Sequence, residues 1–127
     1  MITIQTGRYH IFLVAAFILL ATLVMATGAA AEVPEADFTF SPQGPYVGEL
    51  VTFDASGSTP AANISQYSWT FGDGSTAGIK MPAHTFTQAG DFVVTLVVTT
   101  TDSQNAQIGK TITVSQRVAP VVLAISP

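Results

Sequence analysis

From Glu32 onward, apolar side chains recur at every second position. Phe38 and Phe40, then Val51 and Phe53, then Tyr67, Trp69 and Phe71, then Phe92, Val94, Leu96 and Val98, then Ile108, Ile112 and Val114 all keep even spacing, the signature of strands that bury one face. No segment carries a helical stripe. The runs are separated by Ser41-Pro42-Gln43-Gly44-Pro45, Ser56-Gly57-Ser58-Thr59-Pro60, Gly72-Asp73-Gly74-Ser75, Gln88-Ala89-Gly90-Asp91 and Asp102-Ser103-Gln104-Asn105. Six or seven short strands punctuated in this way predict an all-β, two-sheet antiparallel sandwich. Val93 and Val97 give the run from Phe92 to Val98 a second apolar face, which predicts a central strand or a partly covered outer face.

The first thirty residues follow a different rule. Ile11 to Met25 is almost wholly apolar, preceded by Arg8 and followed by Ala29-Ala30-Ala31-Glu32, the small-x-small pattern that a signal peptidase reads. This predicts an N-terminal hydrophobic helix that is either a signal peptide cleaved after Ala31 or an uncleaved membrane anchor over residues 11–31. The apolar run is long enough to cross a bilayer core of about 30 Å at about 1.5 Å per residue. In both cases the positive charge precedes the apolar run and stays cytoplasmic, so the chain after Glu32 is exported.

Composition then removes whole classes of function. The charged fraction is 9% and the mean hydropathy +0.46, with much of that hydrophobicity near the N-terminus. The exported part sets Lys80, Lys110 and Arg117 against all eight acids, which excludes nucleic acid as a partner because phosphate binding needs a basic surface. With no cysteine there is neither a disulfide framework nor a thiolate metal site. The sandwich holds by packing.

The most specific local pattern is Trp69-Thr70-Phe71-Gly72-Asp73-Gly74-Ser75. Alternating aromatics break into a corner where both glycines can take positive φ and Asp73 can bond its own backbone two residues on. Val51-Thr52-Phe53-Asp54-Ala55-Ser56-Gly57-Ser58 lies upstream. Downstream, Pro82-Ala83-His84-Thr85-Phe86 leads into Ala89-Gly90-Asp91-Phe92 and the valine-rich run. In that order, over roughly residues 34–116, these segments resemble the PKD domain, a β-sandwich module widespread in prokaryotic surface and secreted proteins. The resemblance implies an immunoglobulin-like sandwich that binds or spaces outside the cell and carries no catalytic apparatus. Thr70 stands where the family often has a charged residue, and the loop from Thr76 to Met81 shows no obvious strand of its own.

Each candidate for chemistry has a structural role that suits it better. Asp73 is expected to cap the corner, and Asp54 to bond neighbouring amides where its strand exits. The resemblance implies that His84, in the family's Pro-x-His-x-aromatic stretch, leads into a strand packed near the corner. It is the sole histidine left after processing, and zinc sites normally use several nitrogen or sulfur ligands. Some PKD-like domains attached to secreted proteases bind calcium, and Asp54, Asp73, Asp91 and Asp102 all fall at predicted turns. Nothing here has the dense Asp-x-Asp-x-Asn-Gly spacing that gathers ligands locally, and Asp37 lies far from Asp91 in sequence. There is no Gly-x-Ser-x-Gly elbow, no phosphate-cradling loop, and little room for the cleft that a glycosidase carboxylate pair requires. The chain is therefore read as not an enzyme, with no catalytic, cofactor-binding or metal-ligating residue and no assigned binding residue. Asn63-Ile64-Ser65 is a glycosylation sequon on the loop before the Tyr67 strand. Tyr46 and Tyr67 are read as core rim.

The expected organisation is 1–31 as signal peptide or anchor, 32–116 as the sandwich, and 117–127 as a linker or the start of a further β repeat. Phe38-Thr39-Phe40-Ser41-Pro42 is echoed by Leu123-Ala124-Ile125-Ser126-Pro127, 85 residues on, about one such domain's length. Val121 to Ile125 could add to a sheet edge in its own domain or in a neighbouring copy. The function expected is a noncatalytic module, secreted or at the cell surface, contacting an extracellular protein or polysaccharide as in adhesion. The alternative is a structural spacer or self-assembling subunit of a surface layer, fibre or stalk. Cleavage after Ala31 predicts that the product recovered from the medium, after expression with its native N-terminus, has an intact mass lacking residues 1–31. Full-length mass in the membrane fraction would make the segment an anchor.

Overall fold

The computed structural model describes residues 30–120. The hydrophobic segment up to residue 29 and residues 121–127, where a helix and an edge-adding tail are expected, lie outside the described residues. Within them the chain is all-β: β1 (Thr39–Ser41), β2 (Leu50–Asp54), β3 (Ile64–Thr70), β4 (Thr76–Ala77), β5 (Ala83–Thr85), β6 (Gly90–Thr100) and β7 (Asn105–Val114). Two antiparallel sheets form, ordered β1-β2-β5 and β4-β3-β6-β7. No helix among the described residues is long and apolar enough to cross a membrane.

The period-two pattern sets which face each strand buries. Phe38, Val51, Phe53, Trp69, Phe71, Val94, Leu96, Val98, Ile112 and Val114 are all buried, together with Phe86. Phe40, Tyr67, Phe92 and Ile108 close the rim as half-buried side chains. β6 is central to the larger sheet, flanked by β3 and β7. Its second apolar face is not covered: Val93 remains 55% exposed and Val97 half-buried.

Two features depart from the sequence reading. The stretch after the corner does contain a strand, because Thr76 and Ala77 pair back on Thr70 and Trp69. Two residues are too few to leave a periodic signal. β7 also turns Lys110 inward among Ile108, Ile112 and Val114, where the pattern alone would place an apolar side chain. The Lys110 ammonium reaches the Asp37 carboxylate at 3.0 Å and the Phe38 carbonyl, and lies 4.8 Å from the centre of the Phe38 ring. That set of partners is what lets a cation sit there.

An aromatic cluster fills the space between the sheets. Phe38 meets Trp69 edge-on at 5.1 Å, and Phe53 lies 5.6 Å from Trp69 and 5.2 Å from Phe71. The indole N–H of Trp69 donates to the Ile79 carbonyl at 2.8 Å, as a buried tryptophan requires. Replacing Trp69 with alanine is expected to destabilise the domain by about 3–5 kcal/mol, measured by urea denaturation. A variant as stable as the parent would remove Trp69 as the anchor of the core.

Candidate functional site

The corner forms as its residues dictate. Gly72 and Gly74 sit at φ of 83° and 94°, in the left-handed region where a side chain is strained. Gly72 has a second requirement, since a Cβ there would come within 2.8 Å of the Val93 carbonyl oxygen. The corner thus rests directly on the backbone of β6. Asp73 Oδ1 accepts the Ser75 amide at 3.0 Å, the side-chain turn expected of it. Asp54 behaves in the same way, its Oδ1 accepting the Ser56 amide at 2.8 Å.

The other oxygen of Asp73 joins the two sheets. His84, in β5 of the smaller sheet, lies with Nε2 2.7 Å from Asp73 Oδ2. An ionised carboxylate only accepts, so Nε2 carries the proton and donates. The imidazole is also stacked on Phe71 at 4.3 Å and meets Phe86 edge-on at 4.7 Å. Phe86 in turn stacks on Phe92 at 4.7 Å. His84 therefore does pack near the corner, as one member of an aromatic series running from the core to the surface at Phe92.

Beside this pair is an open cleft of about 460 Å³. It is lined by Gly72, Asp73 and Ser75 of the corner, by His84, Thr85, Thr87 and Gln88 of β5 and the loop after it, and by Phe92 of β6. Thr87 and Gln88 are exposed and Phe92 is half-buried. The arrangement offers hydroxyl, amide and carboxylate groups beside an aromatic surface. Sequence reasoning found Asp73 and His84 but missed Thr85, Thr87, Gln88 and Phe92 as neighbours of the corner. No local signal marks them, because the pairing of β5 with β2 places Thr85 and the loop after it, and the register of β6 against β3 places Phe92.

The remaining candidates do not converge on this place. Asp54 lies at the end of β2, Asp91 accepts from the Thr113 hydroxyl at 2.7 Å, and Asp102 accepts from the Thr100 hydroxyl in the turn between β6 and β7. Among the described residues, no three or more His, Cys, Asp or Glu side chains gather as metal ligands. Asn63 is exposed, and β3 begins at the next residue, so the sequon spans the end of a turn and the start of a strand.

Electrostatics follow these contacts. Burial pushes the Asp73 carboxyl up, but the Ser75 amide, His84 and the Ser75 hydroxyl outweigh it and hold the group below its ordinary value. Hydrogen bonding and charge from Lys110 lower Asp37 against a smaller opposing effect of burial. Ser56 lowers Asp54.

A PKD domain family model matches residues 31–115. A microbial collagenase from Vibrio alginolyticus is 36% identical over 83 residues, which is 65% of this chain and 10% of that protein. The crystal structure of the PKD1 domain from the Vibrio cholerae metalloprotease PrtV aligns with a TM-score of 0.57 at 30% identity, covering 65% of this chain and 98% of that one. A structure described as the structural basis for the promiscuous specificity of carbohydrate-binding modules from the β-sandwich superfamily aligns with a TM-score of 0.65 at 32% identity. It covers 68% of this chain and 36% of that one. The chain thus spans a tenth of the collagenase and about a third of the carbohydrate-binding protein.

A folded carboxyl held below its ordinary value contributes stability above that value and loses it as pH falls through the lower, folded one. Asp73→Asn should therefore cost about 1–2 kcal/mol near neutrality, and the difference from the parent should be smaller at about pH 3, where the carboxyl is losing its charge. Urea midpoints at both pH values test this. An equal gap at both would mean that the carboxylate charge plays no part.

Proposed function

Since the chain belongs to the PKD domain family, we propose that it works outside the cytoplasm as a noncatalytic module that contacts extracellular carbohydrate or protein through the cleft beside the Gly-Asp-Gly corner. In this reading residues 32–116 are the module, 1–31 direct export or anchor the chain, and 117–127 lead away from it. The observation that carries the proposal is the cleft itself. An aromatic surface flanked by a few polar groups on fixed elements is the usual make-up of a small-ligand site, and sugars present both apolar ring faces and hydroxyls to match it. The similarity to a protein described by its carbohydrate-binding modules supports the carbohydrate arm, and the similarity to a collagenase supports the protein arm.

A noncatalytic role agrees with how the reactive-looking residues are used. Both oxygens of Asp73 are engaged, one by the Ser75 amide and one by His84. His84 is clamped between Phe71 and Phe86. The pair holds a corner closed.

One observation favours the spacer alternative. Glu35 bridges to Thr59, beyond the C-terminal end of β2, whereas Ser115 bridges to Tyr46, before its N-terminal start. The chain consequently enters and leaves the sandwich at opposite ends, an arrangement suited to modules joined in line.

The test uses the full chain as recovered after export, with depletion from solution measured against insoluble polysaccharides and against fibrous collagen. Retention on one of these is expected, and the double substitution Thr87→Ala with Gln88→Ala should weaken it by about tenfold, the worth of one or two hydrogen bonds. Its urea midpoint should match the parent's, because both side chains are exposed. Equal retention of parent and variant would remove the cleft as the contact site, and no retention on any solid would leave the spacer reading standing.

A further inference from the structure

The larger sheet ends on one side in β7, and the free side of that strand is a second surface with a definite chemistry. In β7, even-numbered residues bond to β6. The phase is set at the hairpin, where the Thr100 amide donates to the Gln104 carbonyl, and it continues through the antiparallel register from Ala106↔Val98 to Val114↔Gly90. The odd-numbered residues Asn105, Gln107, Gly109, Thr111 and Thr113 therefore direct their backbone N–H and C=O groups away from the sheet. Ser115, next in that series, shows what the edge accepts: its amide donates to the Pro45 carbonyl at 2.9 Å, and its carbonyl accepts from the Val47 amide at 3.0 Å. Among the described residues nothing takes the rest of the edge.

Edges of this length are normally blunted by proline, outward charge or a bulge. β7 has no proline, its outward side chains are neutral, and its register with β6 is unbroken. Its one charge, Lys110, points inward, which usually discourages an added strand because pairing would bury the cation. Here the ammonium is already held by the Asp37 carboxylate, the Phe38 carbonyl and the Phe38 ring. An added strand would not strip it of partners. Beside it, Ala106 and Ile108 are left half-buried at the rim of the core, an apolar margin that another strand would cover.

We propose that β7 is a docking edge for a second copy of this chain, the two β7 strands pairing antiparallel across a two-fold axis at Gly109. A second copy presents the same neutral, unbroken edge, and the position of the axis sets the register. Gly109 is the midpoint of the series from Asn105 to Thr113, so centring the axis there gives every outward donor and acceptor a partner. Gln107 then faces Thr111 and Asn105 faces Thr113, with no like charges opposed. At the axis two glycines meet, where no side chain keeps the outer faces apart. On the inner face the stem of Lys110 covers Ile108 of the other copy. A strand pair of this length buries little area, so the association is weak and concentration-dependent.

Three measurements on the full chain, as recovered after export, test the proposal. Sedimentation equilibrium from micromolar to near-millimolar concentration should show a reversible monomer–dimer equilibrium. Thr111→Pro removes an N–H that points away from β6, a position where an edge strand tolerates proline. It should weaken the dimer by about tenfold or more, since symmetry removes two bonds, while Thr111→Val leaves it unchanged. Because the chain has no cysteine, an introduced thiol can pair only across copies. An oxidised mixture of Gln107→Cys and Thr111→Cys chains should form the mixed disulfide, and Gln107→Cys alone should not. A strictly monomeric parent would overturn the proposal, as would a dimer unaffected by Thr111→Pro or a Gln107→Cys homodimer. So would a dimer abolished by removing residues 118–127 and retained in Thr111→Pro, which would assign the contact to the tail. If Thr111→Pro does not fold, the cysteine pairs decide.

Discussion

A buried indole must place its N–H, and much of this sandwich follows from where Trp69 places its own. The acceptor is the Ile79 carbonyl, ten residues on and past the corner. Holding the Ile79 carbonyl at the indole draws the following residues alongside β2, where the Lys80 carbonyl accepts from the Ala55 amide and the Pro82 carbonyl from the Phe53 amide. That run continues into β5 and so sets the position of His84. The ring that closes the corner is thus located by a hydrogen bond made on the other side of the tryptophan. An unsatisfied N–H at that depth costs about 1–3 kcal/mol, enough to select this path for the loop over one that leaves it bare.

The sheets are joined by polar ties as well as by packing. Asp37, just before β1, meets Lys110 of β7, and Asp73, just after β3, meets His84 of β5. Each pair crosses from one sheet to the other. Lys110 and Asp37 are 34% and 50% exposed in their side chains, and water screens so open a pair that its net worth is small. Its effect is on geometry, since it fixes how the edges of the two sheets line up. Ser58 fixes Asp37 itself within the smaller sheet's end, its buried hydroxyl donating to the Asp37 carbonyl and accepting the Asp37 amide.

The strands were legible because burial of one face writes itself into alternate positions, as at Trp69 and Phe71 or Val94, Leu96 and Val98. The corner was legible too, since glycine at positive φ and an aspartate bonding two residues on are local chemistry. What could not be read depends on residues distant in sequence. Lys110 looks like a flaw in the pattern of β7 until Asp37 and Phe38 are placed beside it. β4 is too short to show a period, and its existence rests on the return path from the corner. The cleft is the furthest from view: Gln88 meets Asp73 through the pairing of β5 with β2, and Phe92 through the register of β6 against β3.

The points at which the chain enters and leaves the sandwich have a mechanical consequence. A pull applied through residues before Glu35 and after Ser115 runs along the strands and loads their hydrogen bonds in shear, the direction in which a ladder resists together. The outermost contacts are different, because Glu35 and Ser115 are each held by two backbone bonds, Glu35 to Thr59 and Ser115 to Pro45 and Val47. Under tension these part before the paired strands slide, and the released residues extend by at most about 3.3–3.6 Å each. The aromatic core stays shut while the molecule lengthens slightly, so the joint acts as a short elastic stop in series with a stiff body.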